Sequence, residues 1–344
     1  MHQWKPIDPD TGAALPKTGR TWTSVFSEEL VRLGDERADV VAITAAMPEP
    51  TGLGAFARRF PDRFYDVGIA EQHAVASAAG MATGGLHPVV AIYATFLNRA
   101  FDQVLMDVAL HRLPVTFVLD RAGITGEDGP SHNGMWDLAV LGVVPGSKVA
   151  APRDEATLRA MLNEAVGCAD GPTVVRFPKT PMSPALPAIR SVDGVDVLAE
   201  PDTDGGVDAL VVAIGATAAD VIEATTAAHQ AGYTVRVVDP RWVKPVPEAL
   251  VGLAGAARLV VTVEDGVLDG GAGARVAQRL ATAGVDVPVR QIGIPASFPD
   301  HGSAADVRTW AGLNAQTIGR RIVEWWVATA PSTDSVRKDD HNRA

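Results

Sequence analysis

Three polar residues, Glu71, Gln72 and His73, stand side by side in the run IAEQHAVASAAG, and only small residues follow them. A carboxylate, an amide and an imidazole are groups that bind and move protons, so the first question is whether they act together. On a helix starting near Ile69 they do not, because consecutive residues turn about 100° apart and point in three directions. Glu71 shares its face with Ala74, Val75 and Ala78. A carboxyl on such an apolar face keeps its proton, or shares one with a ligand nitrogen, unless a partner holds the charge. The same residue also suits a solvated first turn, where the helix dipole favours an acid. Spacing leaves both readings open. His73, on another face, reads as a structural or supporting histidine.

A second cluster lies in DRAGITGEDGPSHNG (120–134), which carries four glycines and directly follows an apolar run. In parallel α/β sheets ligands bind beyond the C-terminal ends of strands, which favours Arg121, Asp128 and His132. Arg121 has the fork that grips a phosphate or carboxylate, and His132 exchanges protons with a hydroxyl or carbonyl near neutral pH. A glycine-rich surface turn with incidental charges explains the same letters, so this segment alone also leaves two readings. A third stretch, GGAGAR (270–275), lacks the last glycine of the dinucleotide fingerprint and reads as a tight helix start.

These residues need elements to hold them. VVAITAA (40–46), FYDVG (64–68), PVVAIYATF (88–96) and PVTFVLDRAG (114–123) read as strands buried on both faces, as in a parallel sheet. GLGAFARRF, IAEQHAVASAAGMATGG and FLNRAFDQVLMDVALHR between them have helical spacing. Asp154 is a candidate helix N-cap after KVAAP, and PTVVRFP (172–178) closes this half. The stretch 181–206 is rich in Pro, Gly and Asp and marks a domain boundary. Beyond it the alternation restarts at ALVVAIGA (209–216), and a last helix spans ADVRTWAGLNAQTIGRRIVEWW. The expectation is an α/β protein of two parallel-sheet-type domains, at 21–185 and 206–328. A linker-like segment at 1–20, a linker at 186–205 and a disordered tail at 329–344 complete it.

Length and composition fit this picture. At 344 residues two cores are expected, and 47% hydrophobic with 21% charged residues is the balance of a globular chain. No apolar run reaches the roughly 18 residues of a membrane span, and the start has no basic, apolar-cored leader, so a cytoplasmic location is expected. The single cysteine, Cys168, excludes an internal disulfide framework and an all-cysteine zinc site. A net charge of −11 argues against a general nucleic-acid surface.

The stretch from DVGIAEQHAVASAAG through DRAGITGEDGPSHNGMWDLAVL closely resembles the pyrimidine-binding domain of the 1-deoxy-D-xylulose-5-phosphate synthase family, among the transketolase-like thiamine diphosphate enzymes. The likeness runs on through AMPEPTGL, VVRFPK, DPRWVKPV and HGSAADV, so it covers about residues 20–325. It implies a transketolase pyrimidine-binding domain followed by a transketolase C-terminal domain. It also implies that Glu71 hydrogen-bonds N1′ of the thiamine diphosphate aminopyrimidine, favouring the imino tautomer that activates the cofactor. Tyr93, Phe96 and Arg99 fall where the family lines the pyrimidine and the neighbouring substrate region, with Phe96 suited both to ring stacking and to the core. Arg121 and Arg176 fall at positions that bind the aldehyde's phosphate, and Asp128 and His132 at positions facing the reacting carbons.

The same resemblance exposes a gap. The family holds the diphosphate and Mg²⁺ with a GDG…N signature, which this sequence lacks; GDER (34–37) has the wrong third residue. The expectation is therefore a split subunit that works with a diphosphate-binding N-terminal-half subunit holding Mg²⁺, self-associating in an α2β2 heterotetramer, with no metal site of its own. Lys179 and Thr180 stand where the family usually has a basic residue and glycine, and Asp265 and Gly266 where Glu-Asn is common; both leave the donor and acceptor open. The β subunit of a 2-oxoacid dehydrogenase and a catalytically inactive partner protein are the alternative readings.

Overall fold

The computed structural model describes residues 8–12, 19–202, 206–230 and 232–329. Positions 330–344 of the expected tail, 203–205 of the expected linker and most of the N-terminal segment lie outside them.

Short runs of mostly β-branched or aromatic residues form β1 (Val40–Thr44), β2 (Phe64–Asp66), β3 (His87–Tyr93), β4 (Thr116–Asp120), β5 (Lys148–Ala150) and β6 (Thr173–Arg176). Helical crossovers between them impose parallel pairing, in the order β5-β6-β4-β3-β1-β2. β1, β3, β4 and β6 are buried along their whole length. Helices on both faces account for this. Trp22–Glu36 and Glu155–Val166 pack through Trp22, Phe26, Leu30, Leu158 and Leu162, and Glu71–Thr83 packs on the other side through Ala74, Val75 and Ala78. Asp154 caps its helix as expected, its side chain accepting from Thr157 N at 2.9 Å.

The second sheet contains β7 (Arg190–Val192), β8 (Val195–Ala199), β9 (Ala209–Ala213), β10 (Val235–Asp239), β12 (Val260–Val267) and β13 (Val289–Ile294), in the order β13-β12-β9-β10-β8-β7. The strand between β10 and β12 in sequence, β11 (Trp242–Lys244), leaves this sheet and pairs antiparallel with β5 as the edge of the first. Each sheet is thus mostly parallel with one antiparallel edge, β11 on the first and β8 and β7 on the second.

Two expectations are corrected. The stretch 186–205 is not only a linker, because β7 and β8 form a hairpin in it on the edge of the second sheet. Its turn is Asp193-Gly194, with φ of +43° and +86°, the pair that a two-residue hairpin turn selects. The last helix is two helices, Ala304–Ala311 and Ala315–Thr329. Gly312, at φ +74°, takes the left-handed conformation that ends the first, and Asn314 Oδ1 accepts from Thr317 N at 2.9 Å to start the second.

Candidate active site at the C-terminal edge of the first sheet

Tyr93 ends β3, Asp120 ends β4, and the loop 121–134 follows directly, so the expected site residues gather where parallel strands release their chains. Glu71 opens its helix without a side-chain cap before it and is only 3% exposed. Arg99 Nε lies 3.4 Å from Glu71 Oε2, within ion-pair range but not aligned as a hydrogen bond, and that oxygen has no hydrogen-bond partner among the described residues. Gln72 and His73 are exposed, so the helix separates the three polar residues as their spacing predicts.

An aromatic and cationic cluster stands beside it. The Tyr93 and Phe96 rings stack at 5.7 Å, Phe96 meets His132 edge-on at 5.6 Å, and the Arg121 guanidinium sits 4.2 Å over the Tyr93 ring. Burial pushes the Tyr93 phenol up to about 12, so it keeps its proton as a donor. His132 lies on a short turn, Pro130–His132, with Nδ1 3.0 Å from Ser131 Oγ. The loop is closed by buried Asn133, whose Oδ1 accepts from Thr125 N at 2.8 Å. It also lies tightly on the second half of the chain: a Cβ at Gly123 would come 2.5 Å from Asp265 Oδ2.

Asp128 pairs with Arg121, and the same carboxylate oxygen lies 2.9 Å from Lys179 Nζ. Burial works against its charge, but Lys179 and Arg121 outweigh it and hold the carboxyl below its usual range. Arg176 does not join this cluster. It is 2% exposed at the end of β6, donating from Nε to Asp137 Oδ2 and from Nη1 to Asp265 Oδ1, both at 2.6 Å. The guanidinium expected at a phosphate is instead an internal tie between the two sheets. Lys179, three residues on, takes the place beside Arg121; the signal for it was its position just past the end of a parallel strand.

The GGAGAR stretch starts the helix Ala272–Thr282, and Glu264 occupies its N-terminus, accepting from Ala272 N and Gly273 N at 2.8 Å each. An internal carboxylate thus fills the position a dinucleotide's phosphates would need. Among the described residues no helix is long and apolar enough to cross a membrane, and no group of three or more His, Cys, Asp or Glu could hold a metal ion.

Comparison with known proteins gives a consistent result. Residues 18–183 match the family model of the transketolase pyrimidine-binding domain, and 199–318 that of the transketolase C-terminal domain. The chain is 58% identical over 328 residues to 1-deoxy-D-xylulose-5-phosphate synthase of Mycolicibacterium gilvum, covering 95% of this chain and 52% of that protein. It is 59% identical over 322 residues to 1-deoxy-D-xylulose-5-phosphate synthase 2 of Streptomyces avermitilis, covering 94% and 50%. The chain therefore spans about half the length of these relatives. A solved structure described as a split gene transketolase, an inactive beta4 tetramer, superposes with a TM-score of 0.78 at 30% identity, covering 89% of this chain and 98% of that one. The Campylobacter jejuni transketolase shares the fold, with a TM-score of 0.75 at 18% identity over 90% of this chain and 48% of that one.

Proposed function

The chain belongs to the transketolase family, and from that premise we propose that it is the pyrimidine-binding and C-terminal subunit of a split, thiamine diphosphate-dependent enzyme of the 1-deoxy-D-xylulose-5-phosphate synthase type. In this reading it transfers a two-carbon unit to a sugar-phosphate or related aldehyde. A separate subunit with GDG…N holds the diphosphate and Mg²⁺, in an α2β2 assembly. The coverage of about half of each synthase relative supports a missing half. Relatives that are synthases weigh against the 2-oxoacid dehydrogenase reading.

The observation that carries the proposal is Glu71, a buried carboxyl with an orphaned oxygen at the head of an apolar helix. Buried polar atoms are rarely left unpaired, so this one fits a ring nitrogen supplied by a ligand. Thiamine diphosphate, when bound, supplies the carbon nucleophile for such a transfer. Glu71 would then share a proton with the pyrimidine nitrogen, Arg99 would supply the countercharge, and Phe96 would offer a ring face for stacking. Arg121 and Lys179 would hold the acceptor's phosphate by charge-assisted hydrogen bonds. His132, backed by Phe96 and Ser131, would exchange a proton with the acceptor's oxygen, while Tyr93 would donate from its retained phenol proton.

Reconstitution tests this. The chain is assayed alone and with a GDG…N subunit, with thiamine diphosphate, Mg²⁺, pyruvate and glyceraldehyde 3-phosphate present. Turnover is expected only in the mixture. No turnover in any pairing would favour an inactive partner protein instead.

A further inference from the structure

The Arg121, Asp128 and Lys179 side chains form a site that is already filled. One oxygen of Asp128 serves both cations, so the pocket's two positive charges meet one internal negative charge and each other's hydrogen-bonding capacity is partly spent on it. All three side chains reach solvent, at 17%, 24% and 33% exposed, so a dissolved anion can compete there. Asp128 lies on a segment between Gly126 and Gly129, whose φ of +76° and +83° hold the backbone in turns. We propose that Asp128 is an internal stand-in for the acceptor's phosphate, which an incoming anion must displace before it binds. The inference rests on the anion-binding reading of Arg121 and Lys179 given above.

The physical consequence is a threshold. A tethered carboxylate competes at the effective concentration its short tether creates, of the order of millimolar or more. A monoanionic carboxylate brings no more charge than Asp128 and does not clear that threshold at millimolar concentration. A phosphate dianion brings a second charge and enough oxygens to bond both cations at once, so it does. A carboxylate donor such as a 2-oxoacid is thereby kept out of the position meant for the phosphorylated acceptor. The exchange also makes a sharp distinction from simple repulsion. Removing a competitor raises the affinity of every anion by the same factor, whereas removing a fixed negative neighbour favours the dianion more than the monoanion.

The test titrates inorganic phosphate and acetate, at pH 8 and constant ionic strength, into the full-length chain by calorimetry or NMR. Wild type, Asp128→Asn, Asp128→Ala, Arg121→Gln and Lys179→Gln are compared, with circular dichroism to verify folding. Both Asp128 variants are expected to bind phosphate about tenfold tighter and to bring acetate into the measurable range. Titrating acetate against bound phosphate, in wild type as in each variant, gives every acetate constant by competition, and the phosphate-to-acetate ratio should be the same in all of them. Affinities within twofold of wild type, or a gain clearly larger for phosphate than for acetate, would overturn the exchange while leaving the anion site standing. Phosphate binding untouched by both Arg121→Gln and Lys179→Gln would overturn the anion site and the exchange together.

Discussion

A buried polar atom left without a hydrogen bond costs roughly 1–3 kcal/mol, and Glu71 Oε2 is such an atom in the isolated chain. Under the proposed function a ligand nitrogen would meet that cost. Glu71→Gln is expected to leave the denaturant midpoint unchanged or slightly raised, while lowering turnover of the reconstituted enzyme by about 10²–10⁴-fold. Urea titration and steady-state kinetics measure the two, and a variant that keeps full turnover would remove Glu71 from the mechanism. How far individual residues could be read from the sequence divides along the same line. The face that Glu71 shares with Ala74, Val75 and Ala78 was legible because a helical period fixes it, and all three alanine and valine side chains are fully buried. The ties of Arg176 are not legible in the sequence, because a motif names a residue but not its partners. Only the packed structure reveals that Asp137 and Asp265 close on its guanidinium from either side.

Elements carry their own tests. His87 begins β3 buried against Thr116, with Nε2 2.8 Å from that hydroxyl, and burial, helped by the nearby Arg37, pushes its pKa down to about 4. The folded state therefore refuses a proton that the unfolded chain accepts below pH 6.5. Stability from this group is complete above pH 6.5 and declines as the pH falls towards 4, by up to about 3 kcal/mol. His87→Gln, which keeps a hydrogen-bonding side chain, should lose less stability than wild type over that window in urea melts at stepped pH. Equal slopes would refute it. Gly312 offers a second test, since its left-handed φ of +74° ends a helix. Gly312→Ala is expected to cost about 1–2 kcal/mol by chemical denaturation. Elements were the most legible level of the sequence, because strand runs and helical periods are local. The β7–β8 hairpin is masked by its surroundings although Asp193-Gly194 announces it, since prolines and acidic residues give the stretch the composition of a linker.

Across the whole molecule the two sheets are joined by buried charge as well as by apolar contact. Arg153 Nη1 donates to Asp196 Oδ2 and to Asp239 Oδ2, each at 2.7 Å, linking the start of a first-half helix to β8 and β10. Burial raises Asp239 to about 6 even with the arginine beside it. Arg153→Met would strand two carboxylates, at a cost of roughly 3–5 kcal/mol. Adding Asp239→Asn should recover part of that, and a double-mutant cycle in urea reads the coupling. Purely additive effects would show that the pair does not act as a unit. This level was the least visible in the sequence, because partners 43 and 86 residues apart leave no local trace.

β11 ties the fates of the two domains together. A strand made by the second half closes the edge of the sheet made by the first, so the two domains are not modules that inheritance can exchange freely. A recombination replacing everything after residue 185 must also supply a strand that fits β5, or it leaves that edge open to pairing with another chain. Shuffled descendants would aggregate before any question of catalysis arose, and the two halves should therefore be inherited as one unit.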